Sequence, residues 1–175
     1  MHVDELPRHI EIGRLPRGEH SWAGTVGAAS LPRVRDMGAS TDGLTGSVTL
    51  VIDHDRPMLS GDCQAMVTLD CERCLAPVTV TAAGQFELVV VDRIEEAEGY
   101  DAGQAVVVAP RGVIDVAAVL EDELILALPL IPMHENRDCD GGQRQFGPAG
   151  EAAPVRENPF KALESLRQGD SGGLH

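Results

Sequence analysis

The strongest constraint on the fold is a regular alternation of apolar and polar residues through the middle of the chain. Alternation with a period of two places successive side chains on opposite faces of a β-strand, so this region predicts three strands in a row. They cover residues 48–52, 59–69 and 78–92. Only residues 71–77 separate the second strand from the third, and so short a connection favours antiparallel neighbours. Gly84 inside the third strand indicates a bulge or bend.

One longer helix is predicted after these strands. Apolar residues recur at helical spacing through residues 116–128, Asp115 precedes them as a suitable N-cap, and Pro129 follows them as a stop. Residues 17–43 are rich in Gly, Ala, Ser and Pro, and we predict mostly loop there. Shorter strands are expected at residues 9–15, 21–26 and 105–109.

These elements predict an α+β fold. An antiparallel sheet of about four to six strands would carry the long helix on one face. We expect a single domain over residues 1–139, followed by a flexible linker over 140–157 because that stretch is rich in Gly and Pro. A short C-terminal helix is predicted at 158–168 and a disordered tail at 169–175.

The charge of the chain limits its partners. Its 28 acidic and 14 basic residues give a formal net charge of −14. Affinity for nucleic acid comes largely from Lys and Arg displacing counterions, so this charge disfavours RNA wrapping and favours a basic partner. Alternatively, it serves only solubility. The N-terminus lacks a signal-peptide pattern and no apolar run approaches the roughly 18 residues of a membrane span, so we expect a cytoplasmic protein without membrane contact.

Four residues have the character of metal ligands. Cys71 and Cys74 form a Cys-x-x-Cys pair in the predicted turn between two strands, and His134 and Cys139 follow the predicted helix. Structural zinc takes four sulfur or nitrogen ligands, and a Cys-x-x-Cys turn supplies two of them, so this set is a candidate zinc site. The alternative is that the cysteines are reduced thiols without a metal. Cys63 shares the parity of its strand's apolar residues and is assigned to the core.

The acidic run Glu121, Asp122 and Glu123 lies on the predicted helix, largely off its apolar stripe. Consecutive helical residues point about 100° apart, so these carboxylates are expected to form a solvated face and not a catalytic metal site. The sequence also lacks nucleophile-elbow, phosphate-loop and dinucleotide-binding motifs. We therefore expect a protein that is not an enzyme.

Three blocks of the sequence resemble the YceD family of bacterial large ribosomal RNA accumulation proteins. Residues 71–77 read CERCLAP, residues 121–134 read EDELILALPLIPMH with Cys139 five residues on, and residues 158–163 read NPFKAL. The blocks follow the family's order and extend over more than half of the chain. The first seventy residues match only by their strand pattern.

The resemblance implies a ribosome-biogenesis factor that supports accumulation of large-subunit ribosomal RNA. It also favours zinc, because the first two blocks contain or adjoin all four candidate ligands. An acidic factor of this kind is expected to contact a basic large-subunit ribosomal protein or an assembly intermediate, with weak or indirect contact to the RNA. Candidate partner-binding residues are Arg73, Glu121, Asp122, Glu123, Phe160 and Leu163, together with the acidic segment 93–101.

Two alternatives remain open at this point. The first is direct binding of ribosomal RNA through a basic patch formed by Arg14, Arg17, Arg33 and Arg35. The second is a metal-dependent nuclease that uses the acidic helix.

Overall fold

The computed structural model describes residues 3–53, 56–100, 103–135 and 139. The chain divides into the units Met1–Gly142 and Gln143–His175, and every described residue belongs to the first. The predicted linker, C-terminal helix and tail therefore lie outside the described residues. The same holds for Phe160 and Leu163, whose predicted role stays untested.

A six-stranded sheet is the framework of the described unit. In sheet order its strands are β1 (Val3–Glu5), β3 (Gly18–Gly27), β4 (Gly43–Ile52), β5 (Met58–Asp70), β6 (Pro77–Val91) and β7 (Val106–Val108). A separate antiparallel ribbon pairs β2 (His9–Glu11) with β8 (Val113–Asp115). The three alternating segments form β4, β5 and β6, which are antiparallel neighbours as predicted.

The sheet is mixed, which corrects the prediction of a purely antiparallel one. β1 pairs in parallel with β3, and β7 pairs in parallel with β6. Parallel neighbours need a connection that crosses back over the sheet, and the described residues 92–100 and 103–105 belong to such a return between β6 and β7. Alternation in the sequence fixes which face a side chain occupies, but it does not fix the direction of a strand's neighbour.

In the region 17–43 the strand that the sequence predicts at 21–26 is confirmed, whereas the prediction of loop for most of the remainder is wrong. This region holds the ten-residue strand β3 and the short helix α1 (Pro32–Asp36). The strand is rich in Gly and small residues, which have weak β propensity on their own. Pairing with β4 along the whole strand, from Gly18 opposite Ile52 to Gly27 opposite Gly43, supplies the hydrogen bonds that the local sequence does not predict.

Gly84 is not a bulge. It lies opposite Cys63 in a register that runs without interruption from Met58–Val89 to Asp70–Pro77. Its role is to admit the long helix, because a Cβ atom at this position would lie 3.1 Å from the carbonyl oxygen of Glu123. The glycine therefore reflects close approach of backbone to backbone.

The long helix α2 (Val116–Leu126) packs on β5 and β6 and closes the core. The Asp115 side chain caps it by accepting a hydrogen bond from the Ala118 N–H at 3.1 Å, as the sequence predicts. Leu120 and Leu124 are fully buried on its inner face, and burial of each such side chain contributes about 1.5–3 kcal/mol. Cys63 lies in the core as predicted. Neither described helix is long and apolar enough to cross a membrane.

Candidate metal centre

The turn between β5 and β6 forms a compact thiol knuckle. The Cys71 N–H donates to the Ala76 carbonyl at 2.9 Å, and the Leu75 N–H donates to the Cys71 carbonyl at 2.8 Å. Leu75 adopts a left-handed conformation with φ of 61°, which costs of order 1–3 kcal/mol in a residue other than glycine. At this strained turn the Sγ atoms of Cys71 and Cys74 lie within 4.8 Å of each other.

The segment after α2 brings the other two candidate ligands to this knuckle. The Glu72 N–H donates to the Pro132 carbonyl at 2.9 Å, a bond that ties the hairpin turn to the post-helix segment. His134 and Cys139 follow in that segment. The structure thus brings together all four sequence-predicted ligands, and one ligand atom from each lies within 4.8 Å of every other.

Three of the distances between these atoms are close to those of a tetrahedral zinc site. Zinc–sulfur bonds of about 2.3 Å and zinc–nitrogen bonds of about 2.0–2.1 Å at tetrahedral angles place two sulfurs about 3.8 Å apart and a sulfur about 3.6 Å from a nitrogen. The Sγ atoms of Cys71 and Cys139 are 3.8 Å apart. The Nδ1 atom of His134 lies 3.5 Å from the Cys74 Sγ and 3.7 Å from the Cys139 Sγ.

His134 is held in the tautomer that a metal needs. Its Nε2 atom lies 3.1 Å from the Pro77 carbonyl oxygen, which only accepts, so Nε2 carries the proton. In the neutral ring, Nδ1 is then the nitrogen without a proton, and it faces the sulfurs of Cys74 and Cys139. Sequence reasoning missed the contribution of Pro77, because a main-chain carbonyl has no signature in the sequence.

The electrostatics of the centre favour a thiolate at Cys71. Burial alone would raise the pKa of this thiol, but hydrogen bonds from the backbone of Arg73, His134 and Cys74 outweigh burial and lower the pKa to about 5. Burial and its sulfur neighbours raise the pKa of Cys139. The Arg73 guanidinium donates to the Cys139 Sγ at 3.3 Å and so brings positive charge to the cluster.

The donor set has the chemistry of a structural metal site. Three thiols and one imidazole are ligands that Zn²⁺ accepts, and four protein ligands would complete its tetrahedron. All four positions around the ion would then be filled by the protein. A catalytic zinc site differs, because it leaves one position for water or substrate. Cys63 lies in the core and is not part of the cluster.

The acidic run on α2 differs from the expected solvated face. Glu121 is only 2% exposed, and its carboxylate accepts from the backbone N–H groups of Arg33 at 2.7 Å and Val34 at 3.0 Å. The Arg33 Nε also donates to it at 3.0 Å, and the Arg33 guanidinium pairs with Asp122. Glu121 therefore ties α1 to α2, and its burial removes it from the surface that a partner could reach. The sequence held no signal for this link across 88 residues.

The other two predicted binding residues of α2 remain accessible. Asp122 is exposed and Glu123 half-buried. Burial, followed by repulsion from Asp122, raises the pKa of Glu123. Arg93 and the described residues that follow it to Glu96 are exposed on the acidic excursion, as expected. Whether a partner contacts any of them stays a prediction.

Comparison with known proteins supplies the family context. The sequence profile described as "Large ribosomal RNA subunit accumulation protein YceD" matches residues 59–167. A curated protein of Haemophilus influenzae with the same description is 35% identical over 114 residues, which cover 63% of this chain and 66% of that protein. The match therefore spans slightly less than two thirds of that relative. No solved structure matches the chain.

Proposed function

Since this chain belongs to the YceD family of large ribosomal RNA subunit accumulation proteins, we propose that it is a non-enzymatic assembly factor for the large ribosomal subunit. We propose further that it acts by contact with a basic ribosomal protein and that a structural zinc ion holds its hairpin turn to its post-helix segment. The observation that carries the functional part is the family match over residues 59–167, which includes all four residues of the cluster.

The geometry of the cluster supports the zinc proposal. Cys71, Cys74, His134 and Cys139 would hold the ion, and His134 is already oriented by Pro77. The ion would supply a rigid, four-coordinate crosslink, with no position for substrate. The thiol knuckle and the segment around Pro132 would then present one fixed surface.

Surface charge supports a protein partner over direct RNA binding. The strands β4, β5 and β6 and the helix α2 contain no Lys or Arg. Three arginines of the proposed basic patch already face carboxylates. Arg33 pairs with Glu121 and Asp122, and Arg14 pairs with Glu11. The Arg35 Nε lies 3.7 Å from the Asp36 Oδ1. Arginines held by carboxylates contribute less to a phosphate site, because binding RNA would first have to break those pairs.

The nuclease alternative has less support still. A carboxylate metal site needs oxygens that converge on one point. Glu121 is buried with its oxygens bonded to Arg33 and Val34, and Asp122 pairs with the same arginine. These bonds occupy the two side chains on which that alternative relies.

The functional proposal is tested by depletion and complementation. Cells depleted of the protein are expected to lose large-subunit ribosomal RNA relative to small-subunit ribosomal RNA, and the full chain should restore the ratio. An unchanged ratio on depletion would refute the functional proposal.

The zinc proposal is tested separately by elemental analysis of protein purified without chelator. About one zinc per chain is expected, and Cys71→Ser and Cys139→Ser should each lose it. Cys63→Ala is the matched control, since it alters a cysteine outside the cluster and should keep the metal. Wild-type protein that contains no zinc would refute the metal site and leave the functional proposal standing.

A further inference from the structure

The strand β6 has one incompletely paired edge. On one side it pairs with β5 along its whole length. On the other side β7 pairs only with Val89, Val90 and Val91. The first twelve residues of β6 therefore border no strand on that side within the described part of the chain.

The direction of the backbone groups along this edge follows from two hydrogen bonds. The Val89 N–H donates to the Ala105 carbonyl, away from β5, and the Pro77 carbonyl accepts from His134 on the same side. Backbone groups of a strand alternate in direction with a period of two, and the β5–β6 register has no bulge. The outward-pointing groups between these residues belong to Thr79, Thr81, Ala83, Gln85 and Glu87. Among the described residues none of the five has a backbone hydrogen-bond partner on that side.

A groove lined by apolar and polar side chains lies beside this edge. It has a volume of about 1110 Å³ and runs between residues 77–81 of β6 and residues 129–135 after the helix. Ile131 and Met133 line it, and they are 61% and 45% exposed. Leu130 between Pro129 and Ile131 is fully exposed. An exposed apolar shelf next to unsatisfied strand groups is typical of a site for an added strand.

The charge around the edge is negative. The neighbouring elements β5, β6 and α2 contain six carboxylates and no Lys or Arg. Arg73 also lines the groove, but its guanidinium donates to the Cys139 Sγ. Arg33 engages Glu121 and Asp122, while Glu87 is exposed on the edge itself and Glu135 lines the groove. Natural edge strands are commonly protected by Lys, by Pro within the strand or by a bulge. None of these devices interrupts β6 between Val78 and Leu88.

We propose that this edge of β6 binds an extended, basic segment of a protein partner as an additional antiparallel or parallel strand. Main-chain hydrogen bonds to the five outward-pointing residues would hold the segment, and its alternate apolar side chains would rest on the shelf formed by Ile131 and Met133. Lys or Arg side chains of the segment would face Glu87 and Glu135. This inference rests on the proposed function for its partner class and gives that partner a binding site and a binding mode.

The test uses the full chain and a synthetic probe, an eight-residue peptide of alternating Lys and Val with blocked termini. Hydrogen exchange followed by NMR should show the amides of Thr79, Thr81, Ala83, Gln85 and Glu87 unprotected in the free protein and protected when the peptide is added. A peptide of alternating Glu and Val should bind at least about tenfold more weakly, because it meets like charge.

Variants distinguish the contribution of main-chain hydrogen bonds to peptide binding from that of side-chain charge. Ala83→Pro removes one outward N–H from an edge, where proline is tolerated, and should lower peptide affinity at least about tenfold. The control substitution Ala83→Thr keeps that N–H, so its peptide affinity should stay within about twofold of wild type. Glu87→Lys should weaken the Lys–Val peptide and strengthen the Glu–Val peptide, whereas Glu19→Lys on the distant strand β3 is the matched charge control. The Glu87 result keeps the proposal testable if Ala83→Pro fails to fold.

Four outcomes would overturn the proposal. Edge amides already protected in the free monomer would mean that the chain's own residues cover the edge, and protection that depends on protein concentration would mean a second copy does. Absence of binding at about 1 mM peptide, or binding that Ala83→Pro leaves unchanged, would exclude strand addition. Each of these results leaves the ribosomal RNA ratio on depletion unaffected, so failure here is distinct from failure of the proposed function.

Discussion

The link between Glu121 and α1 yields the sharpest stability prediction. Glu121→Ala removes the acceptor of the Arg33 and Val34 backbone N–H groups and the buried partner of the Arg33 guanidinium. Each buried donor left without an acceptor costs about 1–3 kcal/mol, and breaking a buried ion pair by removing one partner costs about 3–5 kcal/mol. Because these terms describe overlapping contacts, we expect a loss of about 3–5 kcal/mol in the free energy of unfolding.

Asp122→Ala is the matched control for this prediction. Asp122 neighbours Glu121 and pairs with the same arginine, but its side chain is 58% exposed. Exposed ion pairs contribute about 0–1 kcal/mol, so the two variants should differ by at least about 2 kcal/mol. Urea unfolding at pH 7 measures both, and the m-value should stay constant. Equal costs for the two variants would refute the reasoning that burial makes Glu121 the structural partner of Arg33.

Three further predictions concern the metal, one carboxylate and one glycine. Removing metal with a chelator should lower the midpoint of thermal unfolding of the wild type, whereas the midpoint of Cys71→Ser should not change. A lower midpoint in both proteins would mean that the metal binds outside this cluster. Burial and Asp122 raise the pKa of Glu123, so ionised Glu123 lowers the stability of the native state at pH 7. This loss of stability disappears below the pKa of the unfolded state, about 4.3, where the carboxyl group is protonated in both states. Glu123→Gln should therefore raise the melting temperature at pH 7 and have no effect near about pH 3.5, and a gain that persists at low pH would contradict this. Gly84→Ala should cost about 1–3 kcal/mol by denaturant unfolding, because its Cβ would meet the Glu123 carbonyl; Gly99→Ala, whose Cβ would meet nothing within 4 Å, should be near neutral.

The proposed metal site fits the composition of the chain. Aromatic residues make up only 3% of the sequence, so the core has few large anchors, such as Phe86, and relies mainly on aliphatic side chains. Cys71 is fully buried at the end of β5, at the margin of that core. A metal there would fix the end of the β5–β6 hairpin and the chain that follows α2, where burial of apolar surface is slight.

The candidate metal site was largely predictable from the sequence. A Cys-x-x-Cys pair in a short turn is a local pattern, and the spacing of two residues alone places both thiols on one knuckle. The sequence also named His134 and Cys139 as the second pair. What it did not contain was the bond from Glu72 to Pro132 that brings the two segments together, because main-chain groups carry no residue-specific signal.

The sequence by itself determined the faces of β4, β5 and β6, the start of α2 at its Asp115 cap, and the place of Cys63 in the core. Each of these depends on periodicity or on neighbours close in the chain, so local pattern suffices. Tertiary structure alone decided the parallel edge strands, the burial of Glu121 and the close approach that requires Gly84. These depend on which distant segments meet, since a carboxylate is stable in the interior only where the fold brings donors such as Arg33 to it.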